Sequence, residues 1–130
     1  MMDPRSEKNL AGVHPDLARV VRRVMLLAAD PNNFFSVIVT EGRRTLERQR
    51  ELIDAGASHT MRSRHLTGHA VDLAVKVAGE VRWDWPLYAK INGLIQEVAR
   101  SEGVPVEWGG AWRKFKDGPH FQLPWKEYPA

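Results

Sequence analysis

Two stretches of the sequence concentrate side chains that can bind a metal ion or move a proton. The first covers residues 63–72 and contains His65, His69 and Asp72, and the second is the short segment 117–120. The chain has no cysteine, so a metal site would need imidazole and carboxylate ligands. Catalytic zinc typically has three such protein ligands and a water molecule in the fourth position. These stretches therefore suggest a hydrolytic metal site as one hypothesis.

The first stretch allows two different ligand pairs. His65 and His69 are four residues apart, which on a helix would place both on one face of a zinc site. However, Gly68 and the alternating apolar pattern of 70–77 favour a strand directly after the histidines. The pattern therefore disfavours the two-histidine pair, and His69 is interpreted as a residue at the rim of a site at most.

Asp72 lies in the middle of that alternating segment, on the face opposite the valines. A salt bridge to one of the many arginines is the ordinary explanation for a half-buried carboxylate. His120 begins another predicted strand and supplies a further imidazole. His65, Asp72 and His120 together form a three-ligand set, and Asp117 is placed to act as a general base.

The combined pattern resembles the M15 family of zinc metallopeptidases, and within it the phage L-alanyl-D-glutamate peptidases, which are endolysins of the T5 type. The matching residues are Ser63, His65, Gly68, Ala70, Asp72, Trp108-Gly109-Gly110, Trp112, Asp117-Gly118 and His120. The resemblance implies one Zn²⁺ held by His65, Asp72 and His120, with Asp117 as the catalytic acid/base. Relatives that cut D-alanyl-D-alanine bonds carry Glu in place of Asp117, so the aspartate favours the L-Ala–D-Glu bond of peptidoglycan stem peptides.

Three other residues bear on the site, and the first two are interpreted through the same resemblance. Arg44 matches the arginine expected to face the site, where it would stabilise an oxyanion or hold a substrate carboxylate. Ala111 replaces an acidic residue found in many relatives. Glu107 is the rival general base. The tryptophans could line a glycan groove, although Trp83, Trp85 and Trp108 are interpreted as core residues.

The helices and strands that must position these residues are predicted from the spacing of apolar residues and from the glycine, proline and capping residues that end each element. Helices are predicted over 15–29, from Thr45 as N-cap to 55, and from about 86 to Gly103. Strands are predicted over 34–40, 70–77, 81–83, 104–108 and 120–123, with 56–67 as a loop and 78–80 as a hairpin turn.

This order predicts an α+β fold in which about three helices pack on a small, mainly antiparallel sheet. The resemblance implies the DD-peptidase/Hedgehog-like version of that fold. We expect a single peptidase domain over 1–130, with its core at about 6–123 and no separate cell-wall-binding domain.

Composition limits the partners. Of the 130 residues, 43% are hydrophobic and 27% charged, and the net charge is +3. This is typical of a globular protein, and no apolar run reaches the ~20 residues of a membrane helix.

We expect a monomer that acts on peptidoglycan, without nucleic-acid binding or membrane insertion. With no apolar leader in 1–10, we expect synthesis in a host cytoplasm and action in the periplasm after the membrane is permeabilised. A D-alanyl-D-alanine carboxypeptidase or dipeptidase on the same zinc site is the alternative, as is a non-catalytic domain that binds cell wall or nucleic acid.

Overall fold

The computed structural model describes residues 3–58, 60–114 and 116–129. Helices and strands are mixed along the chain, which confirms the predicted α+β class. The helices are α1 (Pro4–Leu10), α2 (Pro15–Ala28), α3 (Leu46–Asp54) and α4 (Trp85–Glu102); the strands are β1 (Phe35–Glu41), β2 (Ala70–Val77), β3 (Glu80–Arg82), β4 (Glu107–Trp108) and β5 (His120–Gln122); 3₁₀ turns cover Arg64–Thr67 and Gly109–Ala111.

One sheet, with the strand order β1-β2-β5-β4, organises the molecule, and β3 pairs with the far end of β2. All the pairings are antiparallel. Because β2 lies between β1 and β5, the register places Asp72 directly opposite His120 on one side. On the other side it places Asp72 opposite Glu41. Strand pairing thus brings distant polar residues together at the middle of the sheet.

The core lies between this sheet and helices α2 and α4. The predicted apolar face of β2 is confirmed, since Val71, Leu73 and Val75 are fully buried in the core cluster. Helix α2 contributes Leu17 and Val20 to the same cluster. Because one face of β2 is packed into the core, the backbone of β2 holds the side chains of its opposite face in defined positions.

Helix α1 is the element that the sequence pattern does not predict, and it raises the number of α-helices in the described residues from three to four. Asp3 caps it by accepting a hydrogen bond from the Ser6 amide. Ser6 Oγ accepts a hydrogen bond from the Val39 amide at 2.9 Å. Asn9 Nδ2 donates to the Val39 carbonyl at 2.8 Å. Helix α1 therefore covers the edge of β1 with side-chain hydrogen bonds.

Smaller differences from the predicted elements lie near the site. The strand predicted over 104–108 pairs only at Glu107–Trp108, because Val104 and Val106 are buried without joining the sheet. The predicted loop 56–67 ends in the 3₁₀ turn Arg64–Thr67. Across the described ranges, no helix combines the length and apolar character needed to span a membrane.

Candidate metal centre

His65 is held by the 3₁₀ turn that precedes β2. Ser63 caps this turn by accepting a hydrogen bond from the His65 amide. Gly68 ends it with φ of +77°, a left-handed conformation that favours glycine. The His65 ring is 2% exposed, and its Nδ1 lies 2.8 Å from the Gly42 carbonyl oxygen. Because a carbonyl can only accept, Nδ1 carries the proton and Nε2 is left as the free lone pair.

The lone pair of His65 faces the carboxylate of Asp72 on β2. His65 Nε2 lies 3.3 Å from Asp72 Oδ1. His120 Nδ1 lies 3.4 Å from the same oxygen. The three ligand atoms all lie within 4.8 Å of one another, a spacing that suits a shared ion. The structure thus brings together all three residues that the sequence nominates as ligands.

Unpartnered atoms test whether these residues fit a metal ion. His65 Nε2 and Asp72 Oδ1 are both buried, yet neither makes a hydrogen bond of acceptable geometry to any residue that the structure describes. Buried polar atoms without partners are costly, and native proteins rarely keep them without a reason. A cation bound between the two atoms would satisfy both. The donor set of two imidazoles and one carboxylate is that of a catalytic zinc site.

The pKa values around Asp72 reflect strong coupling. Burial alone would raise the pKa of Asp72, but the close approach and positive charge of the His120 and His65 imidazoles outweigh it, so the pKa is far below its ordinary value. Burial alone would lower the pKa of His120, yet the negative charge of the adjacent Asp72 carboxylate raises it. Asp72 therefore stays a carboxylate, and its charge favours the protonated form of His120 in the metal-free protein.

Asp117 stands beside this group on the turn before β5. Its amide donates to the Gly109 carbonyl at 3.1 Å, and its carbonyl accepts from the His120 amide at 3.2 Å. The side chain is exposed to the cleft, but enough protein surrounds it for desolvation to raise its pKa. The nearby charge of Asp72 raises this pKa further. A partly desolvated carboxylate next to a candidate metal site is suited to accept and return a proton.

Arg44 reaches the site but is already engaged. Its guanidinium donates to both carboxylate oxygens of Glu41, at 2.7 and 2.8 Å. It also donates to Gln49 Oε1 at 2.7 Å. Its Nη2 lies 3.7 Å from Asp72 Oδ2. Arg44 is thus fixed in orientation beside the metal ligand, which the sequence interpretation did not anticipate because it assigned no role to Glu41 or Gln49.

Glu107 and His69 lie away from the centre of the site. His69 Nδ1 contacts Thr67 Oγ1 at 2.6 Å, so its ring lies outside the ligand group. Glu107 accepts a hydrogen bond from Gln122 Nε2 at 3.2 Å. Gln122 Oε1 in turn lies 2.8 Å from His120 Nε2. Sequence reasoning gave Gln122 no role, although its spacing of two from His120 on a strand puts both on one face.

A cleft of about 700 Å³ opens over these residues. Its walls carry basic and aromatic side chains: Arg62, Arg64, Trp112, Lys114, Lys116 and Trp125. The Trp112 ring centroid lies 5.1 Å from that of His120. Trp83 and Trp85, which were interpreted as core residues, are instead 61% and 46% exposed. The interpretation as core was wrong because both residues lie at the exposed junction between β3 and α4.

Residues 1–123 match the family described as phage L-alanyl-D-glutamate peptidase. The chain belongs to this family. It is 39% identical over 103 residues to the L-alanyl-D-glutamate peptidase of Listeria phage A118, covering 79% of this chain and 36% of that protein. It is 34% identical over 113 residues to the peptidoglycan L-alanyl-D-glutamate endopeptidase CwlK of Bacillus subtilis, covering 75% of this chain and 66% of that protein. The chain thus spans about a third of the first relative and about two thirds of the second.

Solved structures show the same fold. The Serratia marcescens L-Ala D-Glu endopeptidase ChiX has a TM-score of 0.88 and 51% identity, over 98% of this chain and 92% of that chain. The vancomycin-resistance D,D-dipeptidase VanXYg has a TM-score of 0.56 and 22% identity, over 85% of this chain and 50% of that chain. The second likeness concerns the fold alone, and it confirms the DD-peptidase type of architecture.

Proposed function

We propose that this protein is a zinc-dependent peptidoglycan endopeptidase that hydrolyses the L-Ala–D-Glu bond of stem peptides. The observation that carries the proposal is the convergence of His65, Asp72 and His120 at the cleft, with the carboxylate of Asp117 beside them. Membership of a family of L-alanyl-D-glutamate peptidases supports the choice of bond.

His65, Asp72 and His120 would hold one Zn²⁺ per chain, and a bound zinc ion supplies a Lewis acid that lowers the pKa of water toward ~7. Asp117 takes a proton from the attacking water molecule and returns it to the amine that leaves from the D-glutamyl residue. His65 keeps its orientation through the Gly42 carbonyl. The ligands themselves exchange no proton during the reaction.

Arg44 is proposed to stabilise the negative charge that develops on the carbonyl oxygen of L-Ala. Its three hydrogen bonds to Glu41 and Gln49 fix the guanidinium before the substrate arrives. A donor that is oriented in advance costs little reorganisation in the transition state. The carboxylate of Glu41 neutralises part of the positive charge of Arg44, so Arg44 would act on the oxyanion mainly through its oriented N–H groups.

The proposal also covers the cellular compartment in which the protein acts and its oligomeric state. The protein acts as a monomer on peptidoglycan in the periplasm, after lysis proteins permeabilise the inner membrane. The basic side chains along the cleft suit a stem peptide that carries several carboxylates.

Digestion of purified muropeptides, followed by mass analysis, tests the proposal. We expect glycan fragments that keep L-Ala on their lactyl group and free peptides that begin with D-Glu, in reactions that a chelator stops and added Zn²⁺ restores. Release of free D-alanine with the L-Ala–D-Glu bond intact would instead identify a D,D-carboxypeptidase. Absence of any cleavage by the zinc-loaded protein would identify a binding domain.

A further inference from the structure

A chain of hydrogen bonds leads from the candidate ligand His120 away from the cleft to Glu107. His120 Nε2 lies 2.8 Å from Gln122 Oε1, and Gln122 Nε2 lies 3.2 Å from Glu107 Oε2. His120 and Gln122 are 7% and 6% exposed, whereas Glu107 is exposed at the surface. The connection therefore links a buried imidazole to a solvated carboxylate through one buried amide.

Strand pairing creates this connection. His120 and Gln122 are two residues apart on β5, so their side chains share one face of the sheet. Glu107 on β4 is the direct cross-strand partner of Gln122. Side chains at such positions lie within reach of each other. The short strand β4 thus places the carboxylate of Glu107 beside the side-chain amide of Gln122, which in turn contacts His120.

The chemistry of the three groups fixes the direction of each bond. A carboxylate can only accept, so the amide nitrogen of Gln122 must face Glu107 and its oxygen must face His120. The oxygen accepts in turn, so His120 carries its proton on Nε2. Only Nδ1 then remains for an ion beside Asp72, which is the nitrogen that lies 3.4 Å from the Asp72 carboxylate.

The two histidines of the site are held in different ways. His65 donates to the backbone carbonyl of Gly42, a neutral acceptor that no side-chain substitution removes. His120 donates to a side chain that is itself polarised by a negative charge. A hydrogen-bond acceptor behind a ligating histidine fixes its tautomer and raises its basicity as a ligand, and a carboxylate does so most strongly.

We propose that Gln122 and Glu107 are positioning residues for the ligand His120, with Gln122 as the direct acceptor and Glu107 as the charge behind it. This assignment rests on the proposed metal site. It also removes Glu107 from consideration as a general base, because its carboxylate points at Gln122 and stands outside the lining of the cleft.

A purely structural role of Glu107 predicts different results. Burial lowers the pKa of Arg64, and the negative charge of Glu107 offsets part of this effect, so the two side chains interact electrostatically. Arg64 donates to the carbonyls of Leu123 and Tyr128 and so holds the segment after β5. If Glu107 only supported Arg64, its replacement would lower the stability of the metal-free protein and leave the affinity for metal unchanged.

Zinc affinity, measured by competition with a chromophoric chelator, separates these cases. Gln122→Met keeps the size of the side chain and removes both hydrogen bonds, and we expect a loss of about 10-fold to 100-fold in affinity. Glu107→Gln removes the charge at an exposed position and keeps the size of the side chain, and we expect a smaller loss of zinc affinity. Glu97→Gln, at an exposed position on α4, is the matched control and should bind zinc like the unchanged protein.

Nuclear magnetic resonance of ¹⁵N-labelled imidazoles gives a second measurement that does not depend on activity. In the zinc-loaded protein we expect a slowly exchanging Nε2–H signal from His120, which Gln122→Met should broaden or lose. Zinc affinities that agree within twofold among the unchanged protein, Gln122→Met and Glu107→Gln would overturn the positioning role while leaving the proposed function intact. An unchanged protein that binds no zinc would overturn both.

Discussion

At the scale of single residues, the central carboxylate of Asp72 is shared between two imidazoles and a guanidinium. It lies 3.3 and 3.4 Å from the nitrogens of His65 and His120, and 3.7 Å from Arg44. In the metal-free protein this carboxylate attracts a proton to His120, and a divalent cation competes for the same electrons. Protonation and metal binding are therefore alternatives at one site.

We expect the metal-free protein to become less stable as pH rises above about 6.5. The pKa of His120 is raised in the folded state, so the folded protein binds this proton more tightly than the unfolded chain does. The resulting stability is fully present below the unfolded pKa and is lost as pH rises through the folded one. Thermal melts between pH 6 and 9 in the presence of a chelator measure this slope.

His120→Gln provides the control for that prediction. It removes the titrating ring at the position and should flatten the slope over the same pH range. A slope that is equally steep in the variant would show that another group is responsible.

Replacing Asp117 by Asn should reduce kcat by about 10²-fold to 10⁴-fold, because the amide cannot accept the proton of the attacking water. Zinc content should stay at one per chain, since Asp117 lies outside the ligand group. Muropeptide turnover and metal analysis of the same preparation measure the two effects. Asp54→Asn, at the exposed end of α3, serves as the control. Full activity of Asp117→Asn would mean that the base is a different group.

At the scale of elements, the 3₁₀ turn that carries His65 depends on the close approach of two backbone segments. A Cβ at Gly68 would collide with the carbonyl oxygen of Gly12. The Gly68 carbonyl also accepts a hydrogen bond from the His14 amide at 2.8 Å. Contacts with the loop between α1 and α2 therefore fix the position of the 3₁₀ turn, and with it the position of the His65 ring.

Gly68→Ala should destabilise the protein by more than Gly56→Ala, and it should also weaken zinc binding. Both glycines have positive φ, +77° and +75°, so each substitution incurs a left-handed penalty of about 1–2 kcal/mol. Only Gly68 adds the collision, because nothing lies within 4 Å of a Cβ at Gly56. Denaturant unfolding of the two variants isolates the effect of the collision, and equal losses of stability would contradict it.

Local patterns predicted most of these elements, but they did not predict how the elements meet. The alternation of 70–77 identifies β2, and Thr45 correctly marks the start of α3. Helix α1 was missed because it is a polar segment with little apolar periodicity, and only Ser6 and Leu10 are buried on it. The proline after an N-capping Asp3 is the signal that could have identified it.

The candidate site shows the same division. Residue type and family resemblance nominate the three ligands, and the structure brings them together. The bidentate pairing of Arg44 with Glu41 and the hydrogen bond of Gln122 to His120 arise from strand register and burial. A single sequence carries no measure of register between distant strands, so these supporting contacts could not be predicted.

At the scale of the whole molecule, a bound ion would connect the turn before β2, β2 itself and β5. The chain has no cysteine, so no disulfide can make such a connection. Metal binding to the folded state alone stabilises it by mass action, by about 2.7 kcal/mol when free metal is at 100 times its dissociation constant. We expect the melting temperature to rise with zinc concentration and to fall on chelation, as differential scanning fluorimetry would show. Asp72→Asn should lose most of this dependence, and a full zinc-dependent rise in that variant would place the ion elsewhere.

The contact between α1 and β1 bears on how this domain can be trimmed or joined to other proteins. Ser6 and Asn9 occupy the amide and the carbonyl of Val39, which would otherwise offer an open edge to a neighbouring chain. A version shortened to begin at residue 13 would expose that edge and could recruit strands from other copies into intermolecular sheets. Solubility in an engineered fusion would then depend on the polar side chains of α1, none of which lines the cleft.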